Sequence, residues 1–396
     1  MRTGILLADL HFGTIEPAKF REELSDIFDK IRSLDKIDYI IFLGDLFDHK
    51  MYVGDPHITN VIMFMQTIMT MAIHRGIKIR MIYGTESHEC DQYILFKGYE
   101  NIEDLDFKVI KEVCEEELFD DLRVLYVPEE YIAESKGEYY REYFEKNHVY
   151  DYIFGHGVIM EGMIMVKTDQ NSQWTTAKSP KFVVDDFHNC LKGEVYFGHF
   201  HVREDITNQI HYVGSYSRWC HGEEHPKGFT VVTKDDNSYT NEFIENSSAD
   251  MYKTIGFGYE HPIFNEEIPL ENHISGIERM IDVYPERTRI RLIINIPDNY
   301  KNPEFFMAYL KDKYRMHPFI TLEFVNGYID KKRQQSKEEL HNTIERYSYI
   351  LKKEDDIGAT VSKFIKDKKG KEIAPEKITF YLTQTLQDIL IASTDQ

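Results

Sequence analysis

Cysteine is scarce in this chain: four residues in 396 (Cys90, Cys114, Cys190, Cys220), far apart and without zinc-type spacing. That excludes a disulfide framework and predicts reduced thiols in a cytoplasmic setting. Long apolar runs are missing too. None approaches the ~18 residues of a membrane span, so no membrane partner is expected. The opening MRTGILLADLHFG does not read as a signal peptide, because Asp9 and His11 interrupt a very short apolar stretch. Basic charge is in deficit, with 47 Lys and Arg against 68 Asp and Glu and a net charge of −21. Such a surface repels a polyanion over most of its area, which excludes indiscriminate nucleic-acid binding. Internal repeats and low-complexity segments are also lacking.

What is present is ordinary globular text, 42% hydrophobic and 29% charged, long enough for two or three domains. The charge is unevenly spread: residues 331–371 hold twelve Lys or Arg against seven Asp or Glu. Strands are predicted at 3–8, 38–43, 78–83, 122–127, 150–154 and 193–197, with helices at about 17–34, 58–75 and 130–147. Continuous apolar strands separated by helices indicate an α/β layered fold with sheets buried on both faces. After residue 200, IHYVG, GFTVVT and YTNEFIE read as consecutive strands that close a second, more antiparallel sheet. Helix 58–75 is apolar almost all round, which suits either a core helix or a dimerisation surface. Residues 251–330 read as a separate small α/β unit, with TRIRLIINI a strand, NPEFFMAYLKDKY a helix and FITLEFV a strand. From 331 the text is helical and charged. It ends in a stripe of Ile378, Tyr381, Leu382, Leu386, Ile389 and Leu390.

The chemistry sits where strands stop. Strand 3–8 runs into Asp9-Leu10-His11, strand 38–43 into Gly44-Asp45-Leu46-Phe47-Asp48-His49, and strand 78–83 into Gly84-Thr85-Glu86-Ser87-His88-Glu89. Strand 150–154 runs into Gly155-His156, and strand 193–197 into Gly198-His199-Phe200-His201. Each motif alone is common. Five strand ends in order that deliver Asp or His, four of them through a Gly that turns the backbone sharply, form one pattern. Imidazoles with carboxylates suit Mn, Fe or Zn, and enough ligands are present for two ions that share a carboxylate, as phosphoester hydrolysis requires.

D-x-H, GDxxD, a histidine turn, GH and GHxH in this order resemble the calcineurin-like metallophosphoesterases. The SbcD-type DNA repair nucleases, relatives of the meiotic-recombination-eleven nuclease, are the more similar branch, through GDLFD, GHFHV, IHYVGS and HPKGFTVV. The likeness covers residues 1 to about 330 and is most specific in the first 235. It implies a two-sheet metallophosphoesterase sandwich flanked by helices (1–250), a small α/β capping, DNA-binding domain (251–330) and a helical region that binds an ATPase partner (331–396). A phage-encoded recombination nuclease subunit is a setting that suits so divergent a pattern.

By the same resemblance, Asp9, His11, Asp45 and His201 hold one metal, and Asp45 bridges to a second held by His156 and His199. The family completes the second site with Asn in a G-N-H-D turn. Alignment on the histidine places Ser87 there, with Glu86 as a compensating carboxylate and Glu89 in place of Asp. His88 becomes the histidine that assists leaving-group departure, and Asp48 an orienting neighbour. The implied cofactors are two Mn²⁺ ions, with Mg²⁺ or another divalent cation as substitutes. The implied activity is 3′-to-5′ exonuclease on duplex DNA ends and endonuclease on single strands, in a homodimer partnered by an SMC-like, SbcC-type ATPase. Two other readings are a phosphatase or phosphodiesterase for small nucleotides or phosphoproteins, and an inactive DNA-end scaffold that has lost its second metal.

Overall fold

The computed structural model describes residues 1–52, 54–130, 136–144, 149–161, 181–236, 238–257, 270–296 and 302–325. Strands β1 (Arg2–Leu7), β2 (Tyr39–Leu43) and β3 (Lys78–Ile82) are short apolar runs separated by helices α1 (Pro17–Ser33) and α2 (Pro56–Arg75). Both helices open on a proline, where the missing N–H costs nothing. The residue ahead of each caps it: Glu16 accepts from the Ala18 and Lys19 N–H groups, and Asp55 from that of His57. The crossovers return the chain parallel, with Ile5 opposite Ile40 and Ile40 opposite Ile79.

Two six-stranded sheets form the body. β4 (Phe107–Ile110) extends the first sheet in parallel beside β3. β13 (Gly228–Asp235) and β14 (Ser238–Glu245) complete it antiparallel, in the order β14-β13-β1-β2-β3-β4. The second sheet contains β5 (Cys114–Phe119), β6 (Leu122–Val127), β7 (Tyr150–His156), β10 (Leu191–Gly198), β11 (Glu204–Asp205) and β12 (Ile210–Tyr212), in the order β11-β12-β10-β7-β6-β5. Its four inner strands are parallel, and β5 and β11 are antiparallel edges. A small parallel pair, β8 (Val158–Ile159) with β9 (Lys181–Phe182), stands apart. The molecule is thus mixed α/β with two large mixed sheets.

Period-two alternation sorts the side chains into layers. In β2, Ile40 and Phe42 face the helix side with Phe20, Ile27, Phe64 and Ile68, while Tyr39, Ile41 and Leu43 face the other sheet. In β6 and β7, Val124, Tyr126, Tyr152 and Phe154 meet that inter-sheet core. Leu125 and Ile153 pack outward with Phe182 and Phe187. Burial of sheets on both faces explains why these strands read as unbroken apolar text.

The sequence misassigned two of the three strands after residue 200. β13 and β14 do not close a second antiparallel sheet; β13 pairs onto the free edge of β1, Ile5 opposite Val231, β14 follows beside β13, and only β12 joins the second sheet. Residues 230–234 of β13 pair with residues 2–6 of β1, far apart in sequence, a pairing that local periodicity does not encode. The predicted helix at 130–147 is two short turns among the described residues, Lys136–Tyr139 and Arg141–Phe144. Helix α2 serves the core with Val61, Phe64, Met65, Ile68, Met69 and Ala72, and leaves Ile62, Met63 and Ile73 exposed. All four cysteines are unpaired.

The chain forms two compact units: Met1–Ile255 with Gly276–Leu292 and Tyr314–Thr321, and Gly256–Ser275 with Ile293–Lys313 and the chain from Leu322. β15 (Tyr252–Phe257), β16 (Arg289–Asn295) and β17 (Ile320–Val325) form a three-stranded sheet in that order, and helices Leu270–Ile281 and Pro303–Tyr314 lie between them in sequence. The charged region 331–396 and its apolar stripe lie outside the described residues. Among the described residues no helix is long and apolar enough to cross a membrane.

Candidate metal centre

Side chains with ligand chemistry follow the carboxyl ends of β1, β2, β7 and β10, and the fold brings them together. Asp9, His11 and His201 form one group whose ligand atoms lie within 4.8 Å of one another. Asp45, His156 and His199 form a second, and His11, Asp48 and His88 a third. Asp45 Oδ2 lies 3.6 Å from His11 Nε2 and 3.3 Å from His156 Nε2, so one carboxylate stands between the first two groups.

The backbone is strained to achieve this. Asp9, His11, Asp45 and His199 all have positive φ, between 43° and 100°, a region L residues occupy only when their surroundings hold them there. The Asp9 N–H donates to Gly44 O at 3.2 Å, the His11 N–H to Asp45 O at 3.0 Å, and the His199 N–H to Asp9 Oδ1 at 2.9 Å. Gly44, at φ +82°, has no room for a side chain: a Cβ there would stand 2.3 Å from His156 Nδ1.

Most of the imidazoles are oriented through Nδ1. His156 Nδ1 donates to Leu43 O at 2.6 Å and His88 Nδ1 to Asp48 O at 2.7 Å. A carbonyl can only accept, so both Nδ1 atoms carry the proton and Nε2 is left for another partner. His201 Nδ1 meets Glu223 Oε1 at 2.7 Å, and His11 Nδ1 meets Asp48 Oδ1 at 3.3 Å. Carboxylates and carbonyls behind imidazoles are the usual supports of metal-ligating histidines. The bond to His11, foremost, holds the Asp48 carboxyl down at about 2.

The turn after β3 departs from the sequence alignment. Helix α3 (Glu86–Glu89) is a single turn, and Glu86 and Ser87, the two residues expected to complete the second metal site, are exposed, Glu86 lying outside all three groups. Thr85 stands at the site instead. Its N–H donates to Asp45 Oδ1 at 2.7 Å, and its hydroxyl lies 3.2 Å from Asp45 Oδ2, 3.0 Å from Glu129 Oε2 and 3.4 Å from His156 Nε2. The physical reason is reach. β3 ends at Ile82, and Gly84 packs so closely on Asp45 (a Cβ there would lie 2.3 Å from its backbone N) that the next residue is the one that faces the cluster. Glu89 turns under the loops, where its Oε1 accepts from the Leu46 and Gly84 N–H groups and the Tyr93 hydroxyl. Burial, with Asp45 nearby, pushes its carboxyl up to about 8.

Two further features escaped the sequence reading. Glu129, two residues past β6 and 6% exposed, has Oε2 3.7 Å from His156 Nε2 and 3.5 Å from His199 Nδ1. Its signal was available: 122–127 is a sixth strand, and its carboxyl end reads Val-Pro-Glu-Glu. The other is the support of the His199–His201 loop. The Lys227 ammonium, buried, donates to His201 O at 2.7 Å and Ser215 Oγ at 2.8 Å. Trp219 packs its ring on His11 and His201.

The donor set fits divalent cations. Asp9 Oδ2, His11 Nε2 and His199 Nδ1 are buried atoms with no hydrogen-bond partner among the described residues, an arrangement native interiors rarely leave unexplained. Burial disfavours charge on both members of the Asp45–His156 pair. Their mutual attraction outweighs it, holding Asp45 well below the usual carboxylate range and lifting His156 to about 10. A cation bound to His156 Nε2 would displace that proton. No family model matches the chain, and comparison with curated proteins finds no match.

Proposed function

We propose that this protein is a two-metal DNA phosphodiesterase of the SbcD type, built on a metallophosphoesterase sandwich and using Mn²⁺. The observation that carries the reading is Asp45, a buried carboxylate between two His/Asp groups that come from four separate strand ends and retain unpartnered buried donor atoms. Asp9, His11 and His201 with Asp45 would hold one cation, and Asp45, His156 and His199 the other. Bound divalent cations supply Lewis-acid stabilisation of charge at phosphorus and lower the pKa of water.

The chain's own residues do the positioning. Asp48 and Glu223 fix the rings of His11 and His201 through Nδ1, and Leu43 O fixes that of His156. Trp219 covers His11 and His201. His88, tethered to Asp48 O through Nδ1–H, leaves Nε2 free, and in its imidazolium form that nitrogen would pass its proton to the departing 3′ oxygen and return to the neutral ring. The net charge of −21 suits a subunit that takes much of its DNA affinity from a partner. An SMC-like ATPase bound by region 331–396 fills that role, and the exposed Ile62, Met63 and Ile73 of α2 offer a surface for a homodimer.

Incubation with end-labelled duplex DNA, single-stranded circles and p-nitrophenyl phosphate esters, each with and without Mn²⁺, tests the reading. Mn²⁺-dependent shortening of duplex ends and nicking of circles are expected. Hydrolysis of the small esters with both DNA substrates left intact would point to a small-molecule phosphatase instead.

A further inference from the structure

We infer that Glu129 is itself a metal ligand, completing the coordination of the cation at the Asp45–His156–His199 end with an anionic carboxylate. The inference rests on the two-cation reading above and adds a residue to it.

The positions of the atoms carry it. Glu129 Oε2 faces the two imidazoles of that group, 3.7 Å from His156 Nε2 and 3.5 Å from His199 Nδ1. It also lies 3.0 Å from the Thr85 hydroxyl, which in turn is 3.2 Å from Asp45 Oδ2. Two carboxylate oxygens, Asp45 Oδ2 and Glu129 Oε2, thus converge with His156 Nε2 on the one Thr85 hydroxyl. His199 Nδ1, with no hydrogen-bond partner among the described residues, faces the same carboxylate. Two buried carboxylates and two imidazoles converging on one point form the kind of crowding that a bound cation resolves.

The backbone places Glu129 for this task. The Glu129 N–H donates to Tyr83 O at 3.1 Å, tying the end of β6 in the second sheet to the end of β3 in the first. The carboxylate therefore projects from the opposite sheet to Asp45, and the pair would grip a cation from both sides. Thr85 brings a neutral oxygen, the kind of group expected at this position from Ser87, but its hydroxyl is a weak ligand compared with a carboxylate. Glu129 supplies the charge. With Asp9 and Asp45 it makes three carboxylates facing two divalent cations, a set that retains hard ions such as Mn²⁺ and Mg²⁺ firmly.

The test is Mn²⁺ titration of the full chain, followed by calorimetry and by loss of the free-Mn²⁺ paramagnetic resonance signal, with thermal midpoints measured metal-free. Wild type should take up two Mn²⁺. Glu129→Gln should keep one at wild-type affinity, weaken the other by about 100-fold or more, and melt metal-free no lower than wild type. Glu129→Asp, which keeps the charge but retracts it, should weaken that ion less than Gln does. Two tight ions in Glu129→Gln would overturn the assignment. So would a Gln variant that is unfolded or clearly destabilised without metal, since a ligand is dispensable when no ion is bound. A wild-type chain that takes up no Mn²⁺ would overturn the two-cation reading itself, and the role of Glu129 with it.

Discussion

Two of the buried-charge clusters among the described residues, around Arg80 and around Asp45, differ in their bonding. Around Arg80, on β3 and 1% exposed, every charge is matched. Its five guanidinium N–H groups reach Glu116 (2.7 and 2.8 Å), the Asp106 carboxylate (2.8 Å), Asp106 O (3.2 Å) and Ile79 O (2.8 Å). Glu116 also accepts from the Tyr126 hydroxyl and is held at about 2, because Arg80 outweighs the burial that opposes its charge. Around Asp45 the opposite holds: buried donor atoms lack partners and four residues sit at positive φ. Burial is common to both, so burial does not mark function. What sets the Asp45 cluster apart is ligand chemistry left unmatched at several atoms in one place. The Arg80 cluster ties β3 to β5 of the other sheet, and the Asp45 cluster is arranged for something the chain does not supply.

The contrast makes opposite predictions for substitutions of equal burial. Asp45→Ala should abolish Mn²⁺-dependent cleavage and reduce bound metal from two ions to one or none, measured by metal analysis after desalting; full activity in this variant would remove Asp45 from the site. Arg80→Met should do the reverse. It leaves Glu116 and Asp106 only their partners Lys108 and Lys78 and costs up to about 3 kcal/mol of stability in denaturant titration, with metal uptake unchanged below the transition. Loss of metal from folded Arg80→Met would erase the distinction between the clusters.

His88 lies between the two kinds of residue, tethered through Nδ1 and grouped with His11 and Asp48. If it serves the leaving group, His88→Ala binds two ions and cleaves about 10²–10³-fold more slowly. Disappearance of an ion together with the activity would make it a ligand.

How much of this was legible beforehand follows the range of the interactions. The strands β1–β3, β6, β7 and β10 and the helices α1 and α2 were readable because periodicity, proline openings and acidic caps are local, whereas the edge strands β4 and β5 were not predicted. So were Asp9, His11, Asp45, His156, His199 and His201, since each sits directly after an apolar run. The turn at 84–89 was misplaced because it was aligned on His88, whereas its register is set by where β3 ends and how closely Gly84 packs on Asp45. Glu129 was passed over because glutamate after a strand is ordinary text, and its neighbours come from the opposite sheet. β13 and β14 were assigned to the wrong sheet for a similar reason: β13 pairs with β1, some 230 residues away in sequence, and carries β14 with it.

A third buried carboxylate gives a smaller effect. Glu23, on α1, accepts from Asn246 Nδ2 at 3.0 Å, and burial raises its carboxyl from 4.5 to about 7. A carboxyl with a raised folded-state pKa binds more protons folded than unfolded. Its contribution is therefore full below about pH 4.5 and lost as pH rises through about 7. Relative to wild type, Glu23→Gln should gain about 1–2 kcal/mol in stability between pH 5 and pH 8, read from unfolding midpoints. A pH-independent difference would mean that Glu23 is charged in the fold.

The most direct measurement is an anomalous difference map at the manganese edge from crystals grown with Mn²⁺. Two peaks flanking Asp45, one near Asp9, His11 and His201 and the other near His156 and His199, are predicted. No peak at these residues, or a single peak held by His11, Asp48 and His88, would contradict the two-metal centre.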